Sequence, residues 1–194
     1  MSYESPMIVR ETNSGYFRYR IQEEMLANRE VECVGAIDAD SVCSLVRQLR
    51  YLEREDGSGE ITLLINSPGG EVSSGLALYD VMKGLSCPVR TVCVGTAASM
   101  AALLFAAGTK RDILPHGKVM IHDPLISDGL GGSALQMQSI SQSLMKTREE
   151  LCKILAQCTG KSMEEIYDKT AKDTYFDAEE AMAFGLADRI IHHI

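Results

Sequence analysis

Hydrophobic residues are scattered among polar ones over the first thirty positions, and Thr12-Asn13-Ser14-Gly15 is a turn signal. That pattern predicts an irregular, mobile arm over about residues 1–20 and a short helix near Ile21 to Ala27. From residue 31 the pattern becomes regular. Val31 to Val34 reads as a short strand. Val42, Leu45, Val46, Leu49 and Leu52 recur at three and four, which predicts a helix opened by Asp40 and ended by Asp56-Gly57-Ser58-Gly59. Ile61 to Ile65 is a continuous apolar run of strand length, broken by Ser67-Pro68-Gly69-Gly70. Helical spacing returns over Val72 to Leu85 and stops at Cys87-Pro88. Val89 to Val94 predicts the next strand, Ala98 to Ala107 the next helix and Val119 to His122 another strand.

Strand–helix–strand alternation implies an α/β fold with parallel strands and right-handed crossovers. Sites in such sheets gather where strands end. The Gly69-Gly70 turn, Gly95 to Ser99, and His122 all follow predicted strands and are expected on that edge. In the last third, Asp128 to Gly132 reads as flexible or extended. A long helix runs from about Ser133 to Gln157, with Gly160 as its stop. Ser162 with Glu165, and Asp177 with Glu180, are capping-box patterns for two short helices. Ile190 and Ile191 suggest a final strand. The long helix exceeds what a core of this size needs, so it is expected to project toward a partner subunit.

A chain of 194 residues suits one domain, 1–194. Its net charge of −8 and lack of a Lys/Arg cluster argue against nucleic acid. Arg47, Arg50 and Arg54, interleaved with Glu53, Glu55 and Asp56, read as a solvated helix face. The six cysteines form no CxxC pair and no zinc spacing, so no metal is expected and the thiols read as buried and reduced. The N-terminus has no secretory pattern and the longest apolar run, Ala97 to Ala107, is too short for a bilayer. A cytoplasmic protein is therefore expected, with no membrane partner; a short processed leader before Pro6 is compatible with the pattern.

Gly95-Thr96-Ala97-Ala98-Ser99-Met100-Ala101-Ala102 places Ser99 between a strand and a helix, where free N–H groups and the helix dipole favour developing negative charge. The same pattern fits a plain N-cap serine. A serine nucleophile needs a base. Of His116, His122, His192 and His193, only His122 ends a strand on the expected edge. The orienting acid must accept from the imidazole N–H. Asp123 should face away, because neighbouring strand side chains alternate. Asp168 and Asp173 both remain candidates, Asp173 slightly better placed. Main-chain N–H groups of Gly70 and Met100 can serve an oxyanion. No Walker or dinucleotide pattern appears.

Ile65-Asn66-Ser67-Pro68-Gly69-Gly70, Gly95 to Ala101, Met120-Ile121-His122-Asp123-Pro124, and Asp173 followed by Asp177-Ala178-Glu179-Glu180-Ala181 and Phe184-Gly185-Leu186 together resemble the Clp protease proteolytic subunits (the ClpP family, peptidase family S14). The resemblance spans nearly the whole chain. It implies a ClpP/crotonase-like α/β fold of repeated β-β-α units, with a protruding handle helix and strand over about 125–158. It assigns Ser99, His122 and Asp173 as catalytic, Gly70 and Met100 as the oxyanion hole, and Gly69, Gly70, Val72, Pro124 and Leu125 as substrate-binding. It further implies heptameric rings stacked as a tetradecamer, with or without a ring of a paralogue. A partner AAA+ unfoldase of the ClpX, ClpA or ClpC type would use the ATP and deliver unfolded protein, leaving this chain without a cofactor. The chain departs from the family's usual pattern at Asp123 (commonly Gln), at Lys172 (usually Arg), at Thr62 and Leu64 (usually Tyr), and in a short loop at Thr109-Lys110-Arg111. Two other readings share much of this pattern: a crotonase-like acyl-CoA enzyme and a non-catalytic ring subunit.

Overall fold

The computed structural model describes residues 6–126 and 132–194. The segment expected to be flexible or extended, Asp128 to Gly132, lies outside the described residues except for Gly132, as do the first five residues of the expected arm.

Where the arm was expected to be irregular, the chain forms a hairpin. β1 (Met7–Thr12) and β2 (Gly15–Arg20) pair antiparallel, with Met7 opposite Arg20 and Thr12 opposite Gly15. Tyr19 is the sole buried hairpin side chain, so no apolar alternation betrays the strands. The two-residue loop Asn13-Ser14 sets the register instead. Arg10 lies over the Tyr19 ring, 5.6 Å from its centroid, and pairs with Glu24 at 2.6 Å. That contact ties the hairpin to α1 (Ile21–Ala27).

The main sheet is parallel across β3 (Glu30–Ile37), β4 (Ile61–Gly70), β5 (Val89–Ala98), β6 (Lys110–Ile113) and the terminal β9 (Arg189–Ile190). β5 changes neighbour along its length. Its first half pairs with β6 from Arg90 to Cys93, and its second half with β7 (Lys118–Ile121) from Thr96 to Ala98. β7 in turn carries β8 (Thr174–Phe176), antiparallel, with Ile121 opposite Thr174. At three and four residues, β8 and β6 are too short to show a period, which is why the sequence pattern missed them.

Two expected boundaries shift for physical reasons. The first helix of the sheet region, α2 (Ala39–Glu55), is capped by Asp38 rather than Asp40. Asp38 has the extended backbone a cap requires, accepts from the Ser41 N–H at 2.8 Å, and donates its own N–H to the Ser41 hydroxyl at 2.9 Å. Asp40 sits inside the first turn. The second shift concerns Ser67-Pro68-Gly69-Gly70, which does not break β4. Proline cannot donate to a ladder, and the strand passes it with register shifts, Val34 facing Asn66 but Ala36 facing Gly69.

The remaining helices follow the pattern: α3 (Val72–Gly84), α4 (Met100–Ala106), α5 (Ala134–Thr159), α6 (Met163–Thr170) and α7 (Ala178–Phe184). The expected capping boxes of α6 and α7 are present, and Gly160 ends α5. Every residue of α4 is buried. It packs on β4 and β5 and between α3 and α5. Full burial of a Leu, Ile or Phe side chain contributes roughly 2 kcal/mol, so Leu103, Leu104 and Phe105 anchor this helix firmly. By contrast, the N-terminal half of α5 leaves Leu135, Met137 and Met145 exposed.

Cys33, Cys87, Cys93 and Cys152 are buried, and burial pushes the Cys33 and Cys93 thiols up to about 11, which leaves them inert. Cys43 departs from the expectation and is exposed on the outer side of α2. Among the described residues no helix is long and apolar enough to cross a membrane, and no cluster of three or more His, Cys, Asp or Glu side chains could hold a metal ion.

The sheet's one fully buried carboxylate is Asp112 on β6. Arg90 on β5 reaches it at 2.6 Å, and Arg189 on β9 donates twice at 2.9 Å. Burial alone would raise its pKa, but the hydrogen bonds and charges of Arg189 and Arg90 outweigh burial and hold it below the usual carboxylate range. A depressed folded pKa means stability present above the unfolded carboxylate value, about 3.9, and lost as the pH falls through the folded value. Asp112→Asn is therefore expected to cost about 3 kcal/mol at pH 7, the low end for breaking a buried pair, because Arg189 keeps access to water. Urea denaturation of both proteins should show that difference shrinking as the pH drops below about 4.

Candidate active site

The turn from β5 to α4 fixes Ser99. Its backbone sits at φ 56 and ψ −123, a left-handed conformation unusual for a residue with a side chain. Three contacts hold it. The Ser99 N–H donates to the Met120 carbonyl of β7 at 2.8 Å. The Ser99 carbonyl accepts from the Ala102 N–H at 3.0 Å, which starts α4. Upstream, the Thr96 N–H donates to the Asn66 side chain at 3.1 Å. Asn66, which the sequence marks only as part of a motif, braces the approach to the turn from β4.

Gly69 lies directly against this turn. A Cβ at Gly69 would stand 2.6 Å from the Ala98 carbonyl oxygen, 2.7 Å from the Ser99 Cβ and 3.1 Å from the Met100 nitrogen, and its φ is +91. Only glycine fits both the space and the conformation. Gly70 ends β4 opposite Ile37. Ser67 opposite Ala97 is the last pair between β4 and β5, so Gly69 and Gly70 lie beyond the ladder with β5. At the start of α4, Met100 supplies one of the N–H groups that a helix leaves without an internal partner.

His122 follows β7 directly. Its Nε2 is 2.9 Å from the Ser99 Oγ, and its Nδ1 is 3.1 Å from the Asp173 Oδ1. The imidazole is 15% exposed and the Asp173 side chain 61%. Asp173 immediately precedes β8, and the pairing of β8 with β7 brings it beside the histidine. Asp168, the other candidate acid, is exposed on α6. Asp123 lies beyond the end of β7, so strand alternation does not govern it; its carboxylate accepts from the Arg148 Nε at 2.6 Å. Arg148 has no sequence signal that would single it out, being one of several charges along a long helix.

Beside the serine is a small apolar pocket. Val72, Met100, Leu103, Ile121, Pro124, Leu151 and Leu155 line it together with Ser99 and His122. Val72 and Pro124, two of the residues that the resemblance assigns to substrate binding, are among those lining it. Leu125 does not line the pocket and is 61% exposed. Of the other histidines, His116 and His192 line a separate groove beside α7.

In this line a proton can pass from the hydroxyl to the imidazole: with Nδ1–H donated to the carboxylate, which stays ionised, Nε2 is left to accept from the hydroxyl. The family model described as Clp protease matches residues 13–194 of the chain.

Gly69→Ala tests the packing beneath the serine. The added methyl must displace the Ala98–Met100 turn and would adopt a backbone conformation costing on the order of 1–3 kcal/mol. The variant is expected to unfold at a lower temperature and to react with a serine-directed fluorophosphonate at least about tenfold more slowly, since small displacements cost large factors in rate. Intensity of probe labelling against time, with a melting curve alongside, checks both.

Proposed function

Since the chain belongs to the Clp protease family and is accordingly a ClpP-type peptidase, we propose that it is a serine endopeptidase acting through an acyl-enzyme. The observation that carries this reading is the pair of contacts on His122, 2.9 Å to the Ser99 Oγ and 3.1 Å to the Asp173 Oδ1. In the proposed reaction His122 takes the Ser99 proton as the oxygen attacks a peptide carbonyl. The tetrahedral oxyanion accepts from the N–H groups of Met100 and Gly70. His122 then returns the proton to the leaving amine, and water reverses the sequence to free the acid product. Asp173 keeps the imidazole in the tautomer and orientation this needs. Side chains and main-chain N–H groups of this chain, with water, supply every group the proposed reaction uses, and no cofactor takes part in it.

The proposed substrate is an unfolded polypeptide held extended near Gly69, Gly70, Val72, Pro124 and Leu125, main chain against main chain. The apolar pocket would take one side chain. The proposed assembly is a heptameric ring stacked on a second ring, of this chain or of a paralogue, and supplied by an AAA+ unfoldase that consumes the ATP. Leu135, Met137 and Met145, exposed on the N-terminal half of α5, support a partner surface there.

Labelling by a fluorophosphonate should be complete in the parent and absent in Ser99→Ala. Asp173→Asn should keep the fold and lower kcat for a short peptide by about 10⁴. Parent-like hydrolysis by Ser99→Ala would overturn the reading. Hydrolysis should also fall as the solution turns acidic, because a protonated imidazole cannot accept the serine proton. For the assembly, native mass spectrometry should give multiples of seven chains, and Leu135→Asp/Met145→Asp should shift tetradecamers toward single rings.

A further inference from the structure

The Asp173 side chain is 61% exposed, where its hydrogen bond to the imidazole contributes little toward holding the two chain segments together. The main chain on either side must set the geometry. Beyond Ile121 the His122 segment has left its strand, and its next anchor is the Asp123 N–H, which donates to the Thr170 carbonyl at the end of α6 at 2.7 Å. The Asp173 segment is anchored to the same helix end, the Thr174 hydroxyl donating to the Lys169 carbonyl at 2.6 Å. The end of α6 thus spaces base and acid.

Arg148 of α5 holds both parts of that frame. Its Nε donates to the Asp123 Oδ2 at 2.6 Å, and its guanidinium lies over the Tyr167 ring of α6, 4.2 Å from the centroid. The pair is partly sheltered, with side-chain exposures of 21% and 31%. The other Asp123 oxygen is buried without a hydrogen-bond partner among the described residues, so Arg148 supplies the main compensation for this carboxylate. Leu151 and Leu155, one and two turns further along α5, line the pocket beside Ser99. The same helix therefore lines the pocket and holds the residue that follows the base.

We propose that Arg148 is a positioning residue for His122, acting through Asp123 and the end of α6. The inference rests on the serine-peptidase reading above. It makes alignment of the base depend on where α5 sits. A planar guanidinium is suited to this double contact: it stacks on Tyr167 while its edge N–H meets the carboxylate, which a lysine ammonium cannot reproduce in one geometry.

The test uses the full chain and the Ser99 probe. The parent's labelling and its loss in Ser99→Ala report on the peptidase reading alone. Against that reference, Arg148→Met keeps the aliphatic stem on Tyr167 and removes the donor. Its kcat per assembled chain for a short peptide is expected to fall by about tenfold to a hundredfold, with KM within about twofold, the mark of lost alignment rather than lost binding. Arg148→Lys should recover part of the rate. Asp123→Asn should fall in the same direction, and the double variant Asp123→Asn/Arg148→Met should be no slower than Arg148→Met, because both remove one interaction. Should Arg148→Met fail to assemble, the isosteric Asp123→Asn decides by the same kcat and KM readout. Parent-like kcat in the assembled variants, a raised KM with kcat intact, or multiplying losses in the double variant would overturn the proposal.

Discussion

The left-handed turn at Ser99 is the constraint around which the site is built. A side chain at φ 56 costs on the order of 1–3 kcal/mol, and such a conformation persists only where its surroundings over-determine it. Here they do. Ala97 and Ala98 are buried before the turn and all of α4 is buried after it. The N–H of Ser99 is bound to β7, and Gly69 presses on the turn from β4 without a side chain. The serine oxygen can therefore be aimed with little freedom. The strain sits at the serine itself, while burial of Leu103, Leu104 and Phe105 offsets it.

From this turn the positions of the other groups follow by topology. β7 pairs with β5 just where β5 ends, and the hydrogen bond from Ser99 to Met120 fixes their relative height. His122, two residues beyond Met120, is then delivered to the serine. β8 pairs with β7, and Asp173, the residue before β8, is delivered to the histidine. One register error in either pairing would turn these side chains to the opposite face. Short strands are adequate for this purpose because they locate rather than stabilise.

What the sequence made legible divides along the same line. Local signals carried Ser99 and His122: a strand, small residues and a buried helix around the one, a strand end for the other. The long helix, its stop at Gly160 and both capping boxes were readable because caps act within four residues. Asp173 could not be separated from Asp168 on local grounds, since the difference lies in a three-residue strand that exists only by pairing with β7. The hairpin was hidden because exposed strands have no apolar face to reveal. Pro68 gave a false stop, since a proline breaks a regular ladder but not one with a register shift beside it.

Three aspartates show how environment divides one chemistry among different tasks. Asp112 is fully buried and held by two arginines, so it is locked as an anion and serves the sheet. Asp123 is partly sheltered and answered by one arginine from another helix, so it couples elements. Asp173 is mostly in water beside an imidazole. Solvent screens that last pair most, which makes it the weakest of the three as a structural contact. It follows that Asp173 does not hold the site together; the backbone at the end of α6 and along β7 and β8 does. An acid placed this way is free of structural duty, and its negative charge can respond to what the imidazole becomes when it takes up a proton.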